Sequence, residues 1–114
     1  SLQVLIIEDD ESTHAALRYL FRQRGAQVTI ATTLAEAREA LRVSMPDAIV
    51  LDLMLPDGNG VDILRELRQA GQTVKVVGPT GMAVPQGMHQ LVTLNPDAIL
   101  HKPIDFAGLL RTIL

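Results

Sequence analysis

Five short apolar runs recur along the chain: LQVLII (Leu2 to Ile7), QVTIA (Gln27 to Ala31), AIVL (Ala48 to Leu51), TVKVV (Thr73 to Val77) and AIL (Ala98 to Leu100). Longer amphipathic segments separate them, and this alternation restricts the fold more than any other feature. Runs so short, continuous and rich in Val and Ile read as strands covered on both faces, since a strand with one wet face alternates apolar with polar residues. In the first intervening segment Ala16, Leu17, Leu20 and Phe21 make one helical stripe, which Gly25 stops. TLAEAREALR repeats the pattern behind a Thr33 cap. GVDILRELRQAG, with Ile63, Leu64 and Leu67, predicts a third helix closed by Gly71, and IDFAGLLRTIL a last one. Alternating strands and helices imply right-handed crossovers, a parallel sheet and helices on both of its faces.

A chain of 114 residues, 47% of them hydrophobic, is long enough for one buried core, so 1–114 is read as a single domain. With no cysteine there are no disulfides and no thiolate chemistry; a reducing compartment fits, and the expected location is the cytoplasm. The longest apolar stretches are too short to cross a bilayer, and no basic-then-apolar signal pattern opens the chain, so no membrane association is expected. A net charge of −3 and 3% aromatic residues supply neither a basic phosphate-binding face nor stacking platforms, which argues against a direct nucleic-acid ligand.

Doubly wound parallel sheets put their chemistry beyond the carboxyl ends of the strands, where the strand order reverses. Polar residues at those ends are therefore the informative ones. The first run ends in Glu8, Asp9, Asp10 and Glu11, the third in Asp52, the fourth near Thr80, and the last in His101 and Lys102 before Pro103. Carboxylates gathered in one crevice repel one another and call for a cation. All-oxygen ligands suit a hard ion such as Mg²⁺, which takes a few carboxylates with waters and a phosphate oxygen. Lys102 supplies a point charge for an anionic group and Thr80 a donor beside it. Such a set supports phosphoryl chemistry at a carboxylate. Asp10 and Glu11 are read as the start of the first helix, capped by Ser12 or Thr13. His14, His89 and His101 lack partners at helical ligand spacing and are read as surface residues.

In their order and spacing, LIIEDDE, IVLDLMLPDGNG, the neighbourhood of Thr80 and LHKP make nearly the whole chain resemble the receiver domain of two-component response regulators. The resemblance implies an α/β, flavodoxin-like (βα)5 fold, a five-stranded doubly wound parallel sheet with strand order 2-1-3-4-5. It implies that Asp52 is the phosphoacceptor, that Asp9 ligates Mg²⁺ directly and Glu8 directly or through water, and that Met54 offers its backbone carbonyl to the metal. Thr80 becomes the hydroxyl that binds the phosphoryl group, and Lys102 its partner. The implied function is a signalling receiver that takes its phosphoryl group from a histidine kinase or phosphotransfer protein and catalyses only its own phosphorylation and dephosphorylation. The alternatives are a degenerate receiver acting through protein association alone, and an aspartyl-nucleophile phosphatase or metal-dependent nuclease. The last class usually shows a second acid two residues after the first, where Met54 stands. Because the expected last helix runs to the final residue, excision from a longer regulator or hybrid kinase is compatible with the sequence.

Three departures from the family pattern shape further expectations. Gly78 and Pro79 are expected to interrupt the fourth strand before Thr80, and Gly78 competes for the hydroxyl position; the spacings to Asp52 and Lys102, with Gly81 as the small neighbour, favour Thr80. Ile99 stands where the family often has a Tyr or Phe whose rotation reports phosphorylation, so a switch would use another element. From Val76 through Pro96 there is no Asp, Glu, Lys or Arg, and Pro85 and Gly87 predict a short, irregular fourth helix. Met82, Val84, Met88, Leu91 and Val92 exceed one helical stripe; they either fill the core or form, with a face of the last helix, an association surface over 82–96 for a homodimer or an effector domain. Met54 and Met82 flank the site, where they would shield a phosphoryl group from water. Pro56, Gly58 and Gly60 predict a tight turn after Asp52.

Overall fold

In the central strand β1 (Gln3–Ile7), Val4, Leu5, Ile6 and Ile7 alternate between two faces, yet all four are buried, because both faces carry helices. The computed structural model, which describes residues 2–52, 54–80, 98–101 and 113, continues with α1 (Glu11–Gln23), β2 (Gln27–Ala31), α2 (Leu34–Val43) and β3 (Ala48–Leu51). A two-residue pair, β4 (Met54–Leu55) and β5 (Gly58–Asn59), precedes α3 (Val61–Gln69), β6 (Lys75–Thr80) and β7 (Ala98–His101). The five longer strands form one parallel sheet in the order β2-β1-β3-β6-β7, the 2-1-3-4-5 order expected. The order reverses between β1 and β3, whose registers run Val4↔Ala48 to Ile7↔Leu51.

The period of two sorts the strand side chains into two cores. Leu5, Ile7, Ile49, Leu51 and Val76 meet Leu34 and Ala37 of α2 and Ile63, Leu64 and Leu67 of α3. Val4, Ile6, Ala48, Val50 and Val77 meet Leu17 and Phe21 of α1, together with Ile113. Each helix buries only its apolar stripe, so the arginines expected on the far face of α1 remain outside.

Local sequence accounts for most helix ends. Thr33 caps α2 by accepting the Glu36 N–H at 3.0 Å. Gly25 and Gly71, at φ of 81° and 77°, follow α1 and α3 in the left-handed region that a side chain would disfavour. The cap of α1 differs from expectation. Asp10, not Ser12 or Thr13, is the N-cap: its carboxylate accepts the Thr13 N–H at 2.9 Å and both hydroxyls, from Ser12 at 2.9 Å and Thr13 at 2.5 Å. An acceptor-only carboxylate with extended backbone takes the donors, and the two hydroxyls serve it instead of the helix.

The fourth long strand also differs. Gly78 and Pro79 do not interrupt it; β6 starts at Lys75 and runs through both to Thr80, with Gly78↔Ile99, Pro79↔Leu100 and Thr80↔His101 paired to β7. The β3 register stops at Val77, so the last part of β6 has a ladder on one side, where a residue without an N–H is tolerated. The β4–β5 pair, Met54↔Asn59 and Leu55↔Gly58, was not foreseen, since two residues carry no periodicity. The irregular fourth helix expected between the fourth and fifth long strands, and the association surface expected over 82–96, lie outside the described residues, as does all of the expected last helix except Ile113, which is helical and buried. Among the described residues no helix is long and apolar enough to cross a membrane.

Candidate functional site

The ladder between β1, β2 and β3 extends one residue past the strands and delivers two acids side by side. The Glu8 N–H donates to the Ala31 carbonyl at 3.0 Å and the Asp52 N–H to the Ile7 carbonyl at 2.9 Å. These bonds fix where each side chain leaves the sheet, at the reversal point of the strand order. Glu8 is fully buried and Asp52 is 4% exposed, whereas Asp9 faces solvent. One ligand oxygen from each of Glu8, Asp9 and Asp52 lies within 4.8 Å of the others. Three hard oxygen donors at this spacing fit one small divalent cation, with Asp9 at the open side.

Backbone N–H groups orient two of the acids. Glu8 Oε1 accepts the Asp10 N–H at 3.1 Å, which closes the turn into α1. Asp52 Oδ1 accepts the Met54 N–H at 3.3 Å, so the backbone that carries the Met54 carbonyl folds back on the carboxylate. The Met54 side chain is 65% exposed and stands in solvent. His14 is the residue that sequence reasoning missed. Expected at the surface, it is half-buried, with Nδ1 3.0 Å from the Glu8 carbonyl oxygen. Its signal was its place in the first turn of a helix that starts directly after the acids, a position that faces back toward the strand end.

The loop after Asp52 is built for close approach. A Cβ on Gly60 would overlap the Asp52 carbonyl oxygen, so only glycine lets α3 begin this near the acid. Asn59 Oδ1 accepts the Val61 N–H at 2.9 Å and serves the first turn of α3 in place of the side chain that Gly60 lacks. Asp57 reaches across to α2, where it accepts the Leu34 N–H at 2.7 Å and the Ala35 N–H at 3.1 Å. The bond from Leu34, ahead of the opposing effect of desolvation, holds its carboxyl below the usual carboxylate range.

Of the sequence-derived site residues, Glu8, Asp9 and Asp52 are brought together and Met54 adjoins them. Thr80 ends β6 opposite His101, at the same carboxyl-end rim of the sheet. Lys102, directly after His101, lies outside the described residues, as does Met82.

The profile of the response regulator receiver domain matches residues 4–114. The chain belongs to this family. Among its relatives, the probable transcriptional regulatory protein SilR of Salmonella typhimurium is 34% identical over 112 residues, which cover 98% of this chain and 49% of that protein. The receiver thus spans about half the length of SilR, and the same holds for CusR of Escherichia coli. Among solved structures, the non-phosphorylated HemR receiver domain of Leptospira biflexa superposes with a TM-score of 0.88 at 28% identity, covering 98% of this chain and 90% of that one. A CheY-like receiver domain protein of Methanospirillum hungatei gives 0.91 at 25% identity, covering 99% and 91%. The receiver therefore has the flavodoxin-like fold that its strand order already indicated.

Proposed function

We propose that this receiver accepts a phosphoryl group on Asp52, with Mg²⁺ held by Glu8, Asp9, Asp52 and the backbone carbonyl of Met54. Thr80 and Lys102 bind the transferred group in this reading. The observation that carries it is the gathering of Glu8, Asp9 and Asp52 within 4.8 Å at the carboxyl end of the sheet. Carboxylates placed so close without a cation repel, and oxygen-only donors select a hard one.

The chain's own groups do four things. Burial of Asp52 at 4% exposure confines attack to the open side of the crevice, so the donor phosphorus approaches in line with one carboxylate oxygen. The Met54 N–H on Oδ1 fixes the plane of the carboxylate. A P–O bond to Asp52 forms while the P–N bond of a phosphohistidine donor breaks, and the departing imidazole takes a proton from solvent. Lys102 and the Thr80 hydroxyl then hold the oxygens of the acyl phosphate. When bound, Mg²⁺ supplies positive charge to the equatorial oxygens of the moving group. Catalysis is confined to the receiver's own phosphorylation and dephosphorylation.

The phosphoryl donor is a histidine kinase or phosphotransfer protein in the cytoplasm. Residues 1–114 act as one domain, and relatives about twice as long are consistent with an effector domain elsewhere in the natural chain. The surface through which a homodimer or effector would be contacted is assigned to 82–96 and a face of the last helix, outside the described residues.

Incubation with acetyl phosphate and MgCl₂ followed by intact-mass spectrometry tests the proposal. Wild type gains one phosphoryl mass, and Asp52→Asn gains none. No gain by wild type, together with no binding of beryllofluoride in the presence of MgCl₂, would replace this reading with that of a phosphorylation-independent interaction module.

A further inference from the structure

The loop after Asp52 is fastened at both ends and also at its tip. Asp57, at the turn between β4 and β5, accepts the Leu34 N–H on Oδ1 and the Ala35 N–H on Oδ2, from residues 23 and 22 positions earlier in the chain. Thr33 Oγ1 takes the Glu36 N–H. Of these three first-turn donors of α2, the helix's own cap satisfies one and the loop satisfies two. A carboxylate that uses both oxygens on two successive N–H groups is fixed in rotation as well as in position.

Packing closes the same joint. A Cβ on Gly58 would stand 2.6 Å from Leu34 Cδ1, so the tip of the β4–β5 pair lies directly on the first residue of α2. Leu34 is itself buried in the core beneath the sheet. The helix is held in turn against α3, where Arg38 reaches Glu66 through Nε at 3.1 Å and Nη2 at 2.7 Å. Because Met54 pairs with Asn59 and Leu55 with Gly58, a tip that cannot move also holds the strand that carries the Met54 carbonyl.

We propose that Asp57 is a positioning residue, whose tie to the N-terminus of α2 sets the place of the Met54 carbonyl and so the cation affinity of the site. The proposal rests on the metal reading given above. It assigns a role to an exposed acid that lies outside the carboxylate cluster and ligates nothing itself. Partners that orient a ligand from outside the coordination sphere are typically worth about 10–100-fold in metal affinity.

Titration calorimetry with MgCl₂ on Asp57→Ala, Asp57→Asn and Thr33→Ala tests it, with thermal unfolding followed in parallel. Thr33→Ala is the control for a weakened α2 start, since it removes a cap of the same helix without touching the loop. Asp57→Ala is expected to weaken Mg²⁺ binding about tenfold. Thr33→Ala should keep wild-type affinity although it unfolds at a lower temperature. Asp57→Asn keeps an acceptor for the shorter bond from Leu34 and is expected to recover part of the lost affinity; it also serves as the test variant if Asp57→Ala does not fold. Equal affinity in the Asp57 variants and wild type would overturn the proposal, as would an equal loss in Thr33→Ala. Absence of Mg²⁺ binding by wild type would instead refute the metal reading on which the proposal depends.

Discussion

Gly60→Ala sets two physical effects against each other, and the structure decides the sign. Gly60 is the N-cap of α3, at φ −59° and ψ −20°, a right-handed conformation open to any residue. From backbone entropy alone, alanine would stabilise the protein by up to about 1 kcal/mol. The space around the residue predicts the opposite. An added Cβ would overlap the carbonyl oxygen of Asp52 and stand 3.0 Å from Leu51 Cδ1 and 3.1 Å from the Asp52 carbonyl carbon. Carbon contacts are comfortable from about 3.5 Å. The obstructing atoms are largely backbone at the end of β3, and that backbone is bonded to β1 through Asp52 N–H and Ile7 C=O, so it cannot rotate away as a long side chain would. Overpacking of this kind costs about 1–3 kcal/mol. Even with the full entropic gain set against it, a net loss of up to about 2 kcal/mol is expected. Urea unfolding measures it as a lower midpoint at unchanged slope. The same displacement moves the Asp52 carboxylate, so, on the proposed function, labelling by acetyl phosphate should also slow. Gly71→Ala is the comparison: at φ 77° with nothing within 4 Å of the added Cβ, it should lose stability through backbone strain and leave labelling untouched. A Gly60→Ala protein as stable as wild type and labelled at the same rate would refute the steric argument.

Two further outcomes concern the fold. Phe21 is fully buried on the α1 side of the sheet, so Phe21→Ala should cost about 3–5 kcal/mol, read from urea unfolding; a loss below about 1 kcal/mol would mean that the second core repacks freely. Acid should also weaken the fold through its held carboxylates. The carboxyl of Glu66 is lowered by its bond to Arg38, that of Asp57 by the Leu34 N–H and that of Glu36 by the Thr32 N–H. With folded values below unfolded ones, the unfolded chain binds more protons between them. The associated stability is present above the unfolded value of about 4 and is lost as pH falls through the folded ones. Unfolding midpoints measured across this window should fall with pH, less steeply in Asp57→Asn.

Part of this protein could be read along the chain. The pattern of the apolar runs gave the strands to within a few residues, and all four of Val4 to Ile7 are buried, as a run covered on both faces requires; β2, at the edge of the sheet, departs from that reading, with Gln27 and Thr29 exposed and only Ala31 fully buried. Thr33 capped α2 where a hydroxyl followed by a helical stripe said it would. Errors fell where local signals competed. Asp10, Ser12 and Thr13 are all acceptable caps, and only the positions of their donors show that Asp10 takes the role. Gly78 and Pro79 are strand breakers by composition, but their effect depends on how many neighbours the strand has at that point, which is set by where β3 ends.

The acids divide along the same line. That Glu8, Asp9 and Asp52 sit at strand ends follows from the order of apolar and polar residues, which a period-two pattern and a parallel topology translate directly into a rim. That one oxygen from each comes within 4.8 Å of the others depends on β1 and β3 being neighbours in register, a property of the sheet as a whole. The place of His14 in the first turn of α1 hinted at its approach to the Glu8 carbonyl, but the grip of Asp57 on α2 had no signature in either partner's own segment. Periodicity records which face of an element is apolar. Bonds between polar groups brought together by the fold are specified by distances that exist only after the layers have packed.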